Sequence, residues 1–379
     1  MRRKFNVLFA VETTFQDDCS AVQRLRVLKK GLETLGVETE MVYLSDYPIG
    51  SPRLLLPANT PLFLKTARQY DFVHSSGLSI FSSAAAKPFA NYKIIFDVQG
   101  SREENRLYRR PGFDIQLYYH LLASLLAWQA AKKMADYFVA VSEPLRQFIV
   151  DSGVERERTE LLYNAVDTQL FKPAKEKLGG SFTVTYAGGY QKWQGIENLV
   201  DAIQLLKNTD VTFKFMGFQK RDAPVKNAIK AKLDNKVVLL DFQPRTQNQQ
   251  PHSFVDEMAN SDVLIIPRYT DPLNPAYNNS EYVRNTFGWL PTKFGEYIAT
   301  GRPVIVTNLD VAADFVKQYD CGFVSNPDAK SLAKVILEAK NTSAQELNRK
   351  GMNGRKLAEE QFDIQVVAKR YFNVLSGLL

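Results

Sequence analysis

The sequence has few of the residues that build disulfide frameworks or zinc sites. Its 379 residues include two cysteines, Cys19 and Cys321, and three histidines. The cysteines lie in different halves of the chain, so the sequence excludes a disulfide scaffold and a zinc cluster. We interpret both as ordinary thiols of a reducing compartment, which predicts a cytoplasmic protein.

Positive charge is in moderate excess. The 48 lysines and arginines outnumber the 41 aspartates and glutamates, which gives a net charge of +7. This excess admits an anionic partner without requiring one. No aromatic and basic RNA-binding module is present, so the sequence argues against nucleic acid as a partner. With 45% hydrophobic and 23% charged residues, the composition is that of a soluble globular protein long enough for two or three domains.

No hydrophobic run is long and pure enough for a signal peptide or a membrane span. The run Phe5–Val11 is too short for a secretory signal and is interpreted as a buried strand. The segment Ile115–Ala131 is apolar but contains polar residues that a spanning helix would bury in lipid. It predicts either a largely buried helix with solvated basic ends or a helix whose flanks lie on an anionic membrane face. The flanking basic residues are Arg102, Arg106, Arg109, Arg110, Lys132 and Lys133.

Short apolar runs alternate with helical patterns along the whole chain. Buried strands separated by helices form parallel sheets covered on both faces, so the pattern predicts an α/β protein with two Rossmann-like doubly wound domains. The polar segment 171–180, with a proline and a glycine pair, is the predicted seam. The predicted division is 1–172 for the first domain, 173–357 for the second, and 358–379 for a closing helix that packs back on the first. The predicted strands are 7–11, 40–44, 72–74, 93–98, 137–141, 182–187, 212–216, 237–240, 263–266 and 303–306.

Two common nucleotide-binding motifs are missing. The first strand-to-helix turn, Phe9–Ser20, contains no glycine, so no G-x-G-x-x-G is present. No P-loop G-x-x-x-x-G-K-[ST] occurs either. Dinucleotide binding in the first turn is therefore excluded, and a ligand is expected at the carboxyl ends of the strands between the two domains.

A glycine-rich turn follows the first strand of the second half. Gly188 and Gly189 allow backbone N–H groups to approach a ligand closely, and Lys192 can place a positive charge over a phosphate. The alternative is a tight turn with a solvated lysine.

The segment Leu290–Val304 predicts an anion site at the start of a helix. Pro291 suits the first helical position, which leaves the N–H groups of Thr292, Lys293 and Phe294 pointing out of the helix start. Lys293 strengthens that site. Glu296 is either a structural charge on the helix dipole or an acceptor for a vicinal diol such as a ribose.

A third segment follows the strand at 263–266. Arg268 is expected near the edge of the cleft, where its guanidinium can form a fork to a diphosphate, and a surface salt bridge is the alternative. The polar, proline-broken loop behind it is long for a compact domain, which favours a functional role.

These segments together resemble the family-4 retaining glycosyltransferases of GT-B fold. The resemblance rests on the glycine turn 187–195 and on the run P-T-K-x-x-E-Y-x-A-x-G-x-P-V at 291–304. It also rests on the strand 135–143, which ends in Ser-Glu, and on Leu162–Asp167, which is similar to the family's N-G-V-D segment. The similarity spans essentially the whole chain and is strongest in the second half.

The resemblance implies two facing Rossmann-like domains, a C-terminal helix returning to the first, and a nucleotide-sugar donor held by the second. Glu296 would bind the ribose hydroxyls, and the amides of Thr292 and Lys293, with Gly188, Gly189 and Lys192, would hold the diphosphate. Transfer would retain the anomeric configuration, with the leaving phosphate accepting the acceptor's proton, and would need neither a metal nor a cofactor. Lys192, Arg268 and Gln99 are the candidate catalytic residues.

Three departures from the family pattern concern the same site. The residue eight before Glu296 is Gly288, where many members have a second glutamate, and Asp271, Asn279 or Glu281 are candidate substitutes. Gln99 stands where members often have a histidine, and it can hydrogen-bond a hydroxyl but cannot carry a proton at neutral pH. Gly189 takes the place of a frequent arginine, so Lys192 and Arg268 would supply the cations.

The sequence thus predicts a glycosyltransferase of surface glycan biosynthesis, with a glycan or lipid-linked saccharide as acceptor and peripheral contact with the inner face of an anionic membrane. Two alternatives remain. One is a catalytically silent partner protein that binds a sugar nucleotide. The other is a nucleotide-sugar 2-epimerase, which the scarcity of histidine disfavours.

Overall fold

The computed structural model describes most of the chain. The described residues are 5–12, 20–46, 60–100, 115–174, 180–190, 192–233, 237–241, 252–269 and 280–379. The side chains of residues 20, 46, 115–120, 192, 252, 253 and 280 are outside the description. Several residues considered above also lie outside the described residues: Cys19, Arg102, Arg106, Arg109, Arg110, Asp271 and Asn279.

The first half of the chain forms a six-stranded parallel sheet in the order β2-β1-β3-β4-β5-β6. Adjacent strands keep a regular parallel register, for example Val73 opposite Ile94 between β3 and β4. The strands are β1 (Asn6–Val11), β2 (Glu38–Tyr43), β3 (Phe72–Ser76), β4 (Lys93–Val98), β5 (Tyr137–Ala140) and β6 (Thr159–Leu161).

The second half forms another six-stranded parallel sheet in the order β12-β11-β10-β7-β8-β9. Its first and fourth strands, β7 and β10, are neighbours, so the strand order reverses between them. In doubly wound sheets this reversal opens a crevice at the carboxyl ends of the strands. The strands are β7 (Thr183–Ala187), β8 (Thr212–Phe218), β9 (Val237–Asp241), β10 (Val263–Ile266), β11 (Val304–Thr307) and β12 (Gly322–Ser325).

Helices connect the strands and cover both sheets. The helices of the first half and the last helix are α1 (Ser20–Thr34), α2 (Thr60–Ala67), α3 (Ile80–Ala86), α4 (Ile115–Met134), α5 (Glu143–Asp151) and, at the end of the chain, α14 (Ile364–Leu378). The others are α6 (Ile196–Leu205), α7 (Ala223–Leu233), α8 (His252–Ala259), α9 (Ser280–Phe287), α10 (Thr292–Ala299), α11 (Ala312–Tyr319), α12 (Ala329–Asn341) and α13 (Ala344–Leu357). Among the described helices, none is both long enough and apolar enough to cross a bilayer.

The strands are apolar at consecutive positions because both faces of each sheet are buried. In β4, Ile94 and Phe96 join a core with residues of α3 and α4, whereas Ile95, between them, joins a second core with residues of α1 and α14. Successive side chains of a strand point to opposite faces. Continuous burial of both sets confirms the predicted α/β architecture with helices on each side.

The chain divides into two compact units. One comprises Met1–Ala165, Asn285–Gly288 and Ile364–Leu379, and the other Val166–Arg284 and Trp289–Asp363. The expected change at 172/173 therefore falls at 165/166. The expected helix 358–379 is divided at Asp363 into a π-helical turn, Ala358–Phe362, and α14, and only α14 belongs to the first unit.

Helix α14 lies against α1 at very short range. A Cβ atom at Gly31 of α1 would lie 2.7 Å from the Cβ of Ala368 in α14. This contact leaves space only for glycine at that turn of α1.

Candidate functional site

The three segments singled out in the second half meet at the strand-order reversal of the second sheet. Gly188 and Gly189 directly follow β7, and Arg268 follows β10. These two strands are paired, with Val184 opposite Val263. Parallel neighbours end at the same edge of a sheet, so the glycine turn and Arg268 lie side by side.

Gly195 brings the glycine turn against the end of β10. Its φ is +75°, and a Cβ there would lie 1.8 Å from the carbonyl oxygen of Pro267, so the position excludes every other residue. Tyr269 N–H reaches the Trp193 carbonyl at 3.5 Å across the same contact. Lys192 lies in the short 3₁₀ segment Lys192–Gln194 of this turn, and its predicted contact with a phosphate stays a prediction.

Helix α10 begins at this edge, one residue later than predicted. Pro291 is its N-cap residue, in extended conformation, and Thr292 is the first helical residue. The N–H of Phe294 donates to the Pro291 carbonyl at 2.9 Å, so it is not among the groups that point out of the helix. The N–H groups of Thr292 and Lys293 remain without an intrahelical acceptor and point out of the helix start, as an anion site requires.

The Lys293 side chain extends from the helix start to the glycine turn. Its ammonium group donates to the Tyr186 hydroxyl at 3.0 Å and to Gln194 Oε1 at 2.8 Å, and it lies 4.4 Å from the centre of the Tyr186 ring. A Cβ at Gly188 would lie 2.7 Å from Lys293 Nζ. A side chain at Gly188 would therefore displace the lysine ammonium group from this position, a contact that the sequence did not reveal.

The surroundings of Lys293 lower the pKa of its ammonium group. The pKa of Lys293 is lowered from 10.5 to about 7, mainly by burial and also by the nearby Arg268 guanidinium, while Asp310 and Glu296 partly oppose the shift. A cation that is poorly solvated and repelled by a second cation gains strongly from an arriving anion. The site is thus electrostatically prepared for a phosphate or diphosphate.

Two tyrosines that are not among the predicted site residues connect the elements of the site. The Tyr297 hydroxyl of α10 accepts the N–H of Ala187 and donates to its carbonyl, each at 2.7 Å. The Tyr186 hydroxyl donates to the Gly189 carbonyl. Both tyrosines are buried. Tyr297 belongs to the P-T-K-x-x-E-Y run, and its spacing from Lys293, one turn of helix, was the available signal.

Glu296 lies in the first turn of α10, three residues after Lys293. Positions three apart share a helix face, and Glu296 is close enough to affect the proton affinity of Lys293. Its side chain is half-buried. The helix therefore presents a cation and a carboxylate together at the carboxyl edge of the sheet.

Arg268 is a buried residue and not a surface one. Its Nε donates to Asp310 Oδ2 at 2.9 Å, and its guanidinium lies 4.5 Å from the Trp289 ring centre. Arg268 and Asp310 are both almost completely buried. The surface salt bridge considered from the sequence is thus a buried pair, and removing one partner of such a pair typically costs about 3–5 kcal/mol of stability. Asp310 lies after β11 and carried no signal in the sequence.

Gln99 lies in the first unit, directly after β4. Its Nε2 donates to Asp97 Oδ2 at 2.8 Å, which fixes the amide so that its carbonyl oxygen points away from Asp97. Burial alone would raise the pKa of Asp97, but the Arg24 guanidinium and a hydrogen bond from His74 lower it below its usual value. The negative charge of Asp97 is therefore favoured, and its carboxylate accepts from the Gln99 amide, which leaves the Gln99 carbonyl oxygen as a hydrogen-bond acceptor.

The same cluster ties β3 and β4 to the last helix. Arg24 donates to both Asp97 oxygens, from Nε at 2.8 Å and from Nη2 at 3.1 Å. His74 lies 3.3 Å from Asp97 and 2.6 Å from the Tyr371 hydroxyl of α14. These four residues could not be recognised as a cluster beforehand, because they lie far apart in the sequence and meet only in the fold.

Two family models match the sequence. The model for glycosyl transferases group 1 matches residues 181–341, and the model for glycosyltransferase family 4 matches residues 22–170. The chain belongs to the group 1, family 4 glycosyltransferases.

Solved glycosyltransferase structures share the fold over nearly the whole chain. Anabaena HepE in complex with UDP and glucose superposes with a TM-score of 0.70 at 18% identity, covering 98% of this chain and 99% of that one. Sucrose-phosphate synthase from Thermosynechococcus elongatus gives a TM-score of 0.75 at 17% identity, with 99% of each chain covered. These likenesses show the GT-B fold.

A relative is also found by sequence over a short stretch. An uncharacterized glycosyltransferase from Methanocaldococcus jannaschii is 29% identical over 76 residues, which is 18% of this chain and 19% of that protein.

A glutamate at Gly288, expected from the resemblance, would collide with neighbouring side chains. This glycine has a φ of +59°, and a Cβ there would lie 2.7 Å from Leu145 Cγ and 2.9 Å from Ser142 Oγ. The Ser142 hydroxyl donates to the Gly288 carbonyl at 2.7 Å. The space of the family side chain is thus filled from α5 and its N-cap. Of the candidate substitutes, Glu281 is exposed in the first turn of α9.

We expect Gly288→Ala to lower the free energy of unfolding by about 2–4 kcal/mol, because it adds overpacking to an unfavourable backbone conformation. Gly36→Ala is the matched control, since Gly36 has a φ of +78° and nothing within 4 Å of its added Cβ. The control should cost only about 1 kcal/mol. If urea unfolding gave the same loss of unfolding free energy for Gly288→Ala and Gly36→Ala, the space at Gly288 would not be filled.

We expect binding of a diphosphate above neutral pH to be accompanied by proton uptake at Lys293, because a bound anion favours its charged form. Calorimetry at pH 8 in buffers of different ionisation enthalpy should give enthalpies that vary linearly with that quantity. Lys293→Met should abolish the dependence. A binding enthalpy that is independent of the buffer in the unmodified protein would contradict the assignment.

The same pKa shift of Lys293 should make the stability of the ligand-free protein depend on pH. The unfolded chain keeps Lys293 protonated up to about its ordinary pKa of 10.5, whereas the folded protein does so only up to about 7. The unfolded state therefore binds more protons between these values, and this residue's contribution to stability rises with pH across that window. Lys293→Met should flatten the rise.

Proposed function

We propose that this protein is a retaining, metal-independent glycosyltransferase of hexosyltransferase type. It would move a sugar from a nucleotide-diphosphate sugar to a glycan or lipid-linked saccharide in surface polysaccharide or glycoconjugate biosynthesis. The observation that carries the proposal is the convergence of Lys293, the start of α10 and the glycine turn at the strand-order reversal of the second sheet. Each of these features favours a diphosphate.

The donor would bind along the carboxyl edge of the second sheet. The N–H groups of Thr292 and Lys293 and the Lys293 ammonium would hold the diphosphate, with Gly188 and Gly189 as the adjoining backbone. Glu296, on the same face of α10, would accept hydrogen bonds from the two ribose hydroxyls. HepE has been crystallised with UDP and with UDP-glucose, which supports a nucleoside diphosphate and makes UDP-glucose the first donor to test.

The chain's own positive charges would stabilise the leaving group. As the bond between the anomeric carbon and the phosphate oxygen breaks, negative charge grows on the diphosphate, and a prearranged cation and helix start lower the energy of that state. The acceptor oxygen bonds to the anomeric carbon from the same face, and its proton passes to the departing phosphate oxygen. Because protein cations accept the charge, a metal ion is not required in this scheme.

The three candidate catalytic residues would have different roles. Lys192, in the glycine turn, would add a second cation to the diphosphate. Arg268, bound to Asp310, would act at a distance by its field and by lowering the pKa of Lys293. Gln99 would offer its carbonyl oxygen to a sugar hydroxyl.

A lipid-linked acceptor would place the reaction at a membrane. The proposal therefore includes a cytoplasmic protein in peripheral contact with the inner face of an anionic membrane. The reduced thiols expected from the sequence are compatible with this location.

We expect Glu296→Ala to weaken UDP or UDP-glucose binding by about tenfold to a hundredfold, the usual effect of losing hydrogen bonds to a charged group. Glu197→Ala is the matched control, because Glu197 is an exposed acidic residue in the first turn of α6. Both changes remove a favourable charge from a helix start, but only the first removes a ribose contact. Calorimetry and thermal unfolding of both variants make the comparison.

Unchanged affinity in the Glu296 variant for UDP-, GDP-, ADP- and CMP-sugars would reject the donor site. Turnover on extracted lipid-linked glycans then separates the remaining functions. Binding without turnover would identify a silent sugar-nucleotide-binding protein, and conversion of the donor to its 2-epimer would identify an epimerase.

A further inference from the structure

Asp97 is the centre of a buried polar cluster in the first unit. Its Oδ1 accepts from Arg24 Nη2 at 3.1 Å. Its Oδ2 accepts from Arg24 Nε and Gln99 Nε2, each at 2.8 Å, and lies 3.3 Å from His74 Nε2. A carboxylate has about four lone-pair sites, so these contacts use them all, and Asp97 is only 2% exposed. Asp97 can therefore affect a ligand only through one of its partners.

Gln99 is the partner that reaches the surface. It is half-buried and directly follows β4, at the carboxyl edge of the first sheet, where doubly wound sheets bind their ligands. Arg24 and His74 already give the carboxylate three hydrogen bonds, so a purely structural cluster would not require a further partner at the surface. The arrangement is the one that a ligand-facing side chain needs if it is to be held from behind.

The charge of Asp97 determines which end of the Gln99 amide faces it. Burial raises the pKa of Asp97, but the Arg24 guanidinium and His74 lower it below its usual value. An ionised carboxylate accepts hydrogen bonds but cannot donate them, so Gln99 must turn its NH2 group toward Asp97. The carbonyl oxygen of Gln99 then remains as the group that can meet a ligand.

The cluster is held in place from four elements of the first unit besides β4. Arg24, on α1, also donates from Nη1 to Asn164 Oδ1 at 3.3 Å, in the segment after β6. His74, on β3, places its Nδ1 2.6 Å from the Tyr371 hydroxyl of α14. A neutral imidazole that donates from Nε2 accepts at Nδ1, so the Tyr371 hydroxyl favours the tautomer that Asp97 requires. These contacts fix the carboxylate in both position and orientation.

We propose that Asp97 is a positioning residue for sugar transfer. Fixed by its buried partners, it keeps the carbonyl oxygen of Gln99 directed at the ligand, where this oxygen accepts a hydrogen bond from a sugar hydroxyl. Neither Asp97 nor Gln99 exchanges a proton with the sugar. The inference rests on the proposed function, because it requires a sugar at Gln99, and it adds the buried residues that orient this side chain.

The first test needs no substrate. In protein that carries isotope-labelled glutamine, the side-chain NH2 signals that are missing from Gln99→Ala identify Gln99 by NMR. Hydrogen exchange of this NH2 group with water should be at least about tenfold slower than that of Gln204, which is exposed on α6, because Gln99 donates to a charged group. Exchange as fast as that of Gln204 would overturn the proposal.

The second test uses Gln99→Glu, which changes a half-buried side chain at the surface and keeps its length and an acceptor oxygen. At neutral pH the introduced carboxylate cannot donate to Asp97 and is repelled by it. The kcat for transfer from UDP-glucose to extracted lipid-linked glycans should therefore fall at least about tenfold. The affinity for UDP should stay the same, since the proposed diphosphate site is built from residues of the other unit.

Acid should partly restore the Gln99→Glu variant. A protonated carboxyl group donates its O–H to Asp97 and again leaves a carbonyl oxygen for the ligand. The ratio of the variant's kcat to that of the unmodified protein should therefore rise as the pH falls from about 8 to about 5. Taking the ratio at each pH removes the effects of other titrating groups. A ratio that does not change with pH would contradict the role of Asp97.

The third test measures the coupling between the two residues. Asp97→Asn should lower kcat about as much as Gln99→Ala does, and the double variant should lose no more, because Asp97 acts only through Gln99. Additive losses would overturn the proposal. Asp136→Asn is the matched control, since Asp136 also accepts from a cation of the first unit, Lys87 Nζ at 2.5 Å, but lies before β5 at the opposite edge of the sheet. The control should leave kcat unchanged.

Thermal unfolding of each variant separates lost orientation from lost folding. Asp97→Asn deprives the buried Arg24 of its counter-charge, and if this variant does not fold, the exchange test and the Gln99→Glu variant decide. Absence of turnover with every nucleotide sugar would reject the proposed function, whereas slow exchange at Gln99 would still support the fixed amide. Fast exchange in a protein that transfers sugar would reject only the role of Asp97, so the two proposals fail separately.

Discussion

The site depends on the close contact between the glycine turn after β7 and the end of β10. At Gly195 the two backbones approach so closely that no side chain fits between them. Gly195 is also the N-cap residue of α6, so this contact fixes where α6 begins relative to the end of β10. The double hydrogen bond from Tyr297 to Ala187 then joins α10 to the same strand end. Three backbone segments far apart in sequence are thereby held as one edge.

The cations at this edge lower the stability of the protein when no anion is bound. Lys293 is enclosed by Tyr186, Gln194 and Gly188 and is repelled by Arg268, which is itself bound to Asp310. Such an arrangement is unfavourable alone and favourable with an anion. The same residue that lowers the stability of the empty protein would therefore favour an anionic ligand, and unbalanced charge in a partly buried place is typical of functional sites.

Much of the fold could be predicted from hydrophobic patterns. The strands at 93–98 and 263–266 have the predicted bounds, because continuous apolar runs mark strands buried on both faces. Strands β6 and β12 were missed: the first is three residues long and contains Thr159 and Glu160, and the second begins with a glycine. The break at Asp363 was also missed, because the helical pattern continues on both sides of it.

The candidate site was predictable only where residues cluster in sequence. Thr292, Lys293 and Glu296 lie on one turn and could be found together, and the structure brings them to the edge that also carries Gly188 and Arg268. The partners that determine their chemistry could not be found, because Asp310, Tyr186 and Asp97 meet them only through long-range contacts. Gln99 is an example: the sequence predicts a glutamine at this place in the site, but the direction of its amide depends on the contact with Asp97.

The filled space at Gly288 has a consequence for redesign of this position. The atoms that an added side chain would meet belong to Ser142 and Leu145, so a glutamate could be introduced here only together with changes at those two residues. A single substitution at Gly288 would therefore report on packing and not on the chemistry of the introduced carboxylate.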